Sequence, residues 1–525
     1  MHNLPVYEEI RRSLSKRAKA GQLFMPAAFI HDSETEVQAL EELIHTHQVG
    51  GLCFFHSRAS AAANFEGKKE VPHYHDSLQR LKALIDRYQE AASYPLLIAI
   101  DAEWGLAMRI EKAPQYPYAI TLGALKASAE SLIHEVGLSI AKDCREAGIH
   151  WNFAPVVDIN TNPENPVIGF RAFGSRPGSV LSKARQMVRG LADGGILSCL
   201  KHFPGHGDTA VDSHLDLPVL DRDPEALEST ELMPFRELIR EGVTAVMTGH
   251  LSVPGLDPSG LPASLSKTTI DLLRNPMGFQ GVVVTDALNM HALHSMDQSA
   301  AQLNLKAHKA GNDLLCFAAD IPESIDLILS NTEDGRLEAS FRRIWELKER
   351  VFKPEKPPRQ PVRPWRDLNQ AIALHCLTEI GNPGDSLEAF RVKPFTAVYY
   401  GERPGVFLDE IGVGSSERER AWSPDLKIPD TSNVLFVLNP PSMKPAERFG
   451  LPASFLEAIR ELASKRQVVL YLFGNPYLLR HLPPALFQGV VCAYQPLPGF
   501  QKAAGAHFLG KLRAEGELSI DLDHG

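Results

Sequence analysis

The chain has 525 residues, 44% of them hydrophobic and 22% charged, with a formal net charge of -10. That is too long for one ordinary core and too apolar for a disordered chain, so two or three folded domains are expected. The charge is spread without a basic block, which argues against nucleic acid as a main partner, and no stretch approaches the roughly 20 apolar residues of a membrane span.

The opening segment "MHNLPVYEEIRRSLSKRAKAG" has no apolar stretch long enough for a signal peptide, so a cytoplasmic location with no membrane partner is expected. From there, short apolar runs recur in chain order. They are "LFMPAAF" (23–29), "VGGLCFF" (49–55), "PLLIAI" (95–100), "IHWNFAPVVDI" (149–159), "ILSCLKHF" (196–203), "VTAVMTGH" (243–250), "GVVVTD" (281–286) and "NDLLCF" (312–317). Many are rich in β-branched or aromatic residues, as buried parallel strands are. Between them lie amphipathic patterns such as "SLIHEVGLSIAKDCREAG". Eight such units predict an α/β fold, a (β/α)8 TIM-type barrel with insertions, and a doubly wound open sheet is the alternative.

The polar residues favour the barrel. Asp101, Asp158, Lys201 with His202, His250 and Asp286 all fall at or just after the C-terminal ends of apolar runs. In barrels of this kind that end carries the active site. The six cysteines (Cys53, Cys144, Cys199, Cys316, Cys376 and Cys492) are far apart and form no CxxC pair, so buried reduced thiols are expected.

The catalytic barrel is expected over 1–352. "KPEKPPRQPVRPWR" (353–366) has five prolines and reads as a stiff linker. Over 367–525, "FTAVYYG", "NVLFVLNPP", "QVVLYLFGNPYLL" and "GVVCAYQP" read as strands of a smaller α/β sandwich-like domain.

The densest chemistry lies in "KHFPGHGDTAVDSH", Lys201 to His214, where Pro204, Gly205 and Gly207 exclude a regular helix. Three readings stay open for this loop. His202, His206 and His214 with Asp208 and Asp212 could be metal ligands, although the spacing does not set them on one helix face. The histidines could instead be hydrogen-bonded structural groups. Or Asp212 and His214, two residues apart on an extended loop, could form an acid–base dyad. The carboxylate would fix the imidazole tautomer, and an imidazole with a reference pKa of about 6.5 can both give and take a proton near neutrality. A nucleophile is then needed, and Asp286 after the strand-like "VVVT" offers one; a helix N-cap is the bland alternative for it.

Together these segments resemble the bacterial exo-β-N-acetylglucosaminidases of glycoside hydrolase family 3. "KHFPGHGDT" followed by "DSH" is the most specific element, with "PASLS" (262–266) and "GVVVTDALNM" as its companions. The resemblance runs from "GQLFMPAAF" to about residue 350 and is less distinctive beyond. It implies that Asp286 is the nucleophile of a covalent glycosyl-enzyme, His214 the acid/base and Asp212 its orienting partner. It implies sugar-binding positions at Asp101, Arg109, Arg171, Lys201 and His202, with shaping roles for His206 and Asp208. No metal or cofactor is implied. The implied substrate is a small carbohydrate, a terminal β-linked N-acetylglucosaminide, from muropeptide-type fragments during peptidoglycan recycling.

Many retaining glycosidases use two carboxyl groups about 5–5.5 Å apart. Here a His–Asp dyad would replace one of them. A neutral imidazole does not repel an anionic acceptor, so a phosphorylase that transfers the sugar to phosphate is the alternative to hydrolysis. A metal-dependent barrel hydrolase and a non-catalytic sugar-binding protein are the other rivals. One departure stands out: "DAEWG" places Trp104 where relatives commonly carry glycine, which leaves Asp101 in place but alters the shape expected of the sugar site.

Overall fold

The computed structural model describes residues 4–57, 75–209, 217–290, 293, 299–353, 361–381, 384–414, 417–429 and 433–522. The chain divides into two compact units. The first takes in 1–115, 136–159 and 184–362; the second takes in 116–135, 160–183 and 363–525. The expected boundary at 352 thus falls inside the last segment of the first unit, and half of the expected linker, 354–360, lies outside the described residues.

The strands of the first unit are β1 (Phe24–Met25), β2 (Ala27–Phe29), β3 (Gly51–Phe55), β4 (Leu97–Ile100), β5 (Trp151–Asn152), β6 (Leu200–Phe203), β7 (Ala245–Thr248), β8 (Val282–Thr285) and β9 (Leu315–Cys316). Each coincides with one of the apolar runs. Pairing is parallel throughout: β2-β3-β4-β5 form one sheet and β6-β7-β8 another. Single bridges Trp151↔Leu197 and Val156↔Lys201 join β5 to β6, and Val284↔Leu314 joins β8 to β9. Strand β9 then pairs with β1, Phe24 opposite Leu315, and the ring is closed. This is the barrel, not the open sheet.

Pro26 explains why the first run yields two strands. It has no N–H to donate to a ladder, so residues before it pair with β9 and residues after it pair with β3. Every residue of β3 through β9 is buried, as expected for strands covered on both faces. The first crossover helix, Glu34–His47, begins with a capping box from Ser33 and Glu36 and buries Val37, Leu40 and Ile44 at helical spacing.

The second unit is built on a six-stranded sheet. Its strands are β10 (Thr378–Ile380), β11 (Phe395–Tyr400), β12 (Glu419–Ala421), β13 (Asn433–Leu438), β14 (Val468–Leu472) and β15 (Gly489–Cys492). The order is β10-β15-β14-β13-β11-β12, all parallel except β10. The four apolar runs of this region became the four inner strands. The two edge strands, "TEI" and "ERA", carry no such run, because an edge strand need not be apolar on both faces. Two stretches from earlier in the chain belong here by hydrogen bonds: Gln495 Oε1 accepts from Tyr118 N at 2.8 Å and Thr121 Oγ1 at 3.0 Å, and the Tyr477 hydroxyl donates to Asn160 O at 2.6 Å.

All six cysteines are buried and unbridged, in line with the reading of reduced thiols. Among the described residues no helix is long and apolar enough to cross a membrane.

Candidate active site

The C-terminal ends of the barrel strands gather buried charge. Asp101 follows β4 directly. Its Oδ1 accepts from Lys201 Nζ at 2.8 Å, and its Oδ2 accepts from Arg109 Nη2 at 3.0 Å. Burial alone would raise the Asp101 carboxyl, but Lys201 and Arg109 outweigh it and hold the group well below the usual carboxylate range. Lys201 projects from β6, is 2% exposed, and meets a second carboxylate, Glu103 Oε1, at 2.7 Å. Arg109 lies over the Phe55 ring, 3.9 Å from its centroid. Side-chain exposure of 22% for Asp101 leaves one side of this cluster accessible. Trp104 is half-buried in the same loop.

Asp158 organises the next group. Its Oδ1 accepts from the backbone N–H groups of His202 (3.0 Å) and His206 (2.9 Å), and its Oδ2 lies 2.8 Å from His202 Nδ1. A carboxylate only accepts, so the His202 proton sits on Nδ1. Burial opposes the charge on Asp158, yet His202 and these N–H groups keep its carboxyl below the ordinary range.

The segment after His202 is shaped from outside the barrel ring. Gly205 has φ 137°, and a Cβ there would stand 2.7 Å from Glu231 Cβ, so this position needs glycine twice over. Asp208 Oδ2 accepts from Arg222 Nε at 2.8 Å, and Arg222 Nη1 stands 3.4 Å from Glu231 Oε1. His206 Nδ1 lies 2.7 Å from Thr209 Oγ1.

Asp286 follows β8. Its backbone N–H donates to Thr248 O at 2.9 Å, which extends the β7–β8 ladder by one residue, and its Oδ1 accepts from Ala287 N at 2.8 Å. Residues 287–290 form a turn, so no helix for Asp286 to cap begins there. Burial would raise its carboxyl, but His202, His250, the Ala287 N–H and Lys201 hold it below the usual range. His250 in turn is fixed from two sides: Nε2 donates to Ala287 O at 3.0 Å, and Nδ1 lies 2.7 Å from Ser264 Oγ. That is the work of the first serine in "PASLS".

The expected residues divide three ways. Asp101, Arg109, Lys201, His202 and Asp286 come to one end of the barrel strands. Arg171 lies in the second unit, where its Nη1 donates to Val167 O at 3.1 Å. Asp212 and His214 lie outside the described residues. Sequence reasoning placed Asp158 and His250 at strand ends without giving them partners, and it missed Glu103, Arg222 and Glu231. For Glu103 a signal existed, since it sits two residues after Asp101 in the same loop. Arg222 and Glu231 carried none, because only the fold brings them to Asp208 and Gly205. The described part of the histidine loop does not assemble three metal-ligating side chains.

A closed parallel barrel whose strand ends hold a partly accessible carboxylate cluster has its polar groups where barrels of this kind carry their active sites. Residues 15–353 match the glycosyl hydrolase family 3 N terminal domain, and the chain belongs to that family. It is 31% identical over 383 residues to "Beta-hexosaminidase A" of Pseudoalteromonas piscicida, a match covering 66% of this chain and 61% of that relative. The chain therefore spans less than two thirds of that relative's length. A "Beta-hexosaminidase" of Alkalilimnicola ehrlichii is 34% identical over 307 residues, covering 57% of this chain and 82% of the relative. Among solved structures, a family 3 β-N-acetylglucosaminidase from Paenibacillus sp. superposes with a TM-score of 0.75 at 27% identity, over 98% of this chain and 100% of that one.

Proposed function

We infer that the chain is a retaining exo-β-N-acetylglucosaminidase. The observation that carries this reading is Asp286, half-buried at the end of β8, where His202, His250 and Lys201 hold its carboxyl below the usual range. An ionised carboxylate is what attack on an anomeric carbon requires. In the first step its oxygen bonds to that carbon while the glycosidic oxygen leaves, taking a proton from the His214 imidazolium. In the second, neutral His214 removes a proton from water, the water oxygen bonds to the anomeric carbon, and the Asp286 carboxylate is released. Asp212 holds the imidazole in register and favours its charged form. The Asp101 carboxylate, braced by Lys201 and Arg109, accepts hydrogen bonds from hydroxyls of the terminal sugar. His202 completes the sugar-binding set at this end of the barrel.

The substrate class is a terminal β-linked N-acetylglucosaminide, with muropeptide-type fragments in the cytoplasm as its source. The names of the relatives support the sugar; the implied family role supports the source.

The test compares nitrophenol release from the β-N-acetylglucosaminide and the β-glucoside, in phosphate and in a phosphate-free buffer. The first substrate is expected to be preferred, with free sugar as product in both buffers. Asp286→Asn is expected to lower kcat by on the order of 1,000-fold or more while thermal unfolding stays unchanged. Equal turnover of the glucoside overturns the substrate assignment, a sugar 1-phosphate product overturns hydrolysis, and a largely active Asp286→Asn overturns the nucleophile.

A further inference from the structure

A second cluster of chemically competent side chains stands at the same end of the first unit, apart from the carboxylates above. Strands β2 and β3 pair with Phe29 opposite Phe55. The residues that follow therefore leave the barrel side by side: His31 N donates to His56 O at 3.2 Å, and the two imidazole rings are 5.0 Å apart. The loop after β4 adds Glu111, whose Oε1 lies 2.6 Å from His56 Nε2. Its Oε2 accepts from Ser77 Oγ at 2.6 Å, and that hydroxyl lies 2.8 Å from His31 Nε2. One ligating atom from each of His31, His56 and Glu111 falls within 4.8 Å of the others.

A simpler reading is a hydrogen-bonded network that ties two strand ends to a loop. Such a network needs one imidazole for the carboxylate. It does not need a second imidazole packed against the first, with ring centroids 5.0 Å apart. Two imidazoles beside one carboxylate are instead a donor set that a divalent transition metal takes. We propose that His31, His56 and Glu111 bind one divalent ion of the zinc type, with the Ser77 hydroxyl or water in the fourth position.

The chemistry selects among ions. Imidazole nitrogen suits zinc and its neighbours, whereas calcium and magnesium take oxygen donors almost exclusively. Zinc holds N and O ligands at about 2.0–2.2 Å, so tetrahedral ligands stand about 3.3 Å apart, and a triangle with edges below 4.8 Å closes on the ion by side-chain movement. Binding replaces the His56–Glu111 hydrogen bond with three coordinate bonds, one each from His31, His56 and Glu111, with any proton on the ligating nitrogens released to solvent. The ion joins three segments: the ends of β2 and β3, and the loop that carries Arg109 two residues before Glu111. Its role is to hold that loop, not to enter sugar chemistry, so the site stands whether or not the activity inferred above is right.

The experiment uses the full chain, stripped with a chelator, dialysed, and titrated calorimetrically with Zn2+ and spectroscopically with Co2+. Saturable binding of one ion per chain is expected, with a visible Co2+ absorption and a Zn2+-dependent rise in Tm. His31→Ala and Glu111→Gln are each expected to weaken Zn2+ binding by about 100-fold and to abolish the rise in Tm. Glu111→Gln is nearly isosteric and keeps an acceptor for Ser77, so it serves if His31→Ala does not fold. Undiminished binding in Glu111→Gln would place the ion elsewhere, for example on the histidines of Lys201–His214, and overturn the proposal. So would the absence of saturable binding to the parent at about 10 μM Zn2+.

Discussion

Two aspartates at opposite ends of the barrel strands are each ringed by cations, and they serve different ends. Asp101 follows the C-terminal end of β4 and meets Lys201 and Arg109. Asp313 precedes the N-terminal end of β9. Its Oδ1 accepts from Ser340 Oγ (2.8 Å), Arg343 Nη1 (3.0 Å) and Arg336 Nη1 (3.2 Å), and its Oδ2 accepts from Val283 N (3.0 Å) and from Arg274. Both carboxyls are raised by burial and then driven below their usual range by these cations. What separates them is access: the Asp313 side chain is fully covered, whereas that of Asp101 is 22% exposed. A closed ring of cations fastens two helices to the barrel. An open one keeps oxygen lone pairs available to a ligand. Charge and burial alone therefore do not mark a binding group, and neither does cavity size. A cavity of about 710 Å3 lies at the starts of β5, β6 and β7, among exposed Arg145, Arg189 and Arg350, with Arg185 paired to Glu241.

The comparison can be broken most forcefully at Asp313. Asp313→Asn leaves three arginines without their anion, and a loss of about 3–5 kcal/mol is expected in urea unfolding. A loss within about 0.5 kcal/mol would mean that these cations find other partners. Asp101→Asn should act differently. Lys201 keeps Glu103, so stability should fall by no more than about 1 kcal/mol. Meanwhile kcat/KM on the N-acetylglucosaminide should drop by about 100-fold through a lost charge-assisted contact to the sugar. If stability falls as far as for Asp313→Asn, Asp101 is a fastening group and the distinction by access fails.

Glu231 sharpens the contrast with a smaller effect, because it is 1% exposed and lacks a ring of cations. Burial raises it from 4.5 to about 7, with Arg222 opposing and Asp208 and Asp158 adding to the rise. Between those values the folded chain holds the proton that the unfolded chain has lost. Stability from this group is therefore greatest at low pH, falls as pH rises from 4.5 to 7, and levels off above. Glu231→Gln removes this dependence. Its stability relative to the parent should increase by about 3 kcal/mol between pH 4.5 and pH 8, measured by urea unfolding at each. A constant difference across that range would show that Glu231 is ionised throughout, held by Arg222.

Much of the barrel was legible because its strands are covered on both faces and so must be continuously apolar, whatever surrounds them. The same rule hid "TEI" and "ERA" at the sheet edges of the second unit. It also could not show that 116–135 and 160–183 join that unit, since those links, such as Tyr118 to Gln495, connect residues far apart in the chain. Within the candidate site, Asp101 and Asp286 were visible as carboxylates at the ends of apolar runs, where a strand must deliver them to the barrel mouth.

The sequence by itself determined which segments are the barrel strands and which ionisable residues stand at their ends, because these follow from local hydrophobicity and from the alternation of strand and helix. Only the tertiary structure decided what each charge does. The pairing of Lys201 with Asp101 across 100 positions, the ring of arginines on Asp313, and the meeting of His31, His56 and Glu111 depend on distance in space. Electrostatic and coordinate interactions act over a few ångströms regardless of chain separation, so no local pattern in the sequence records them.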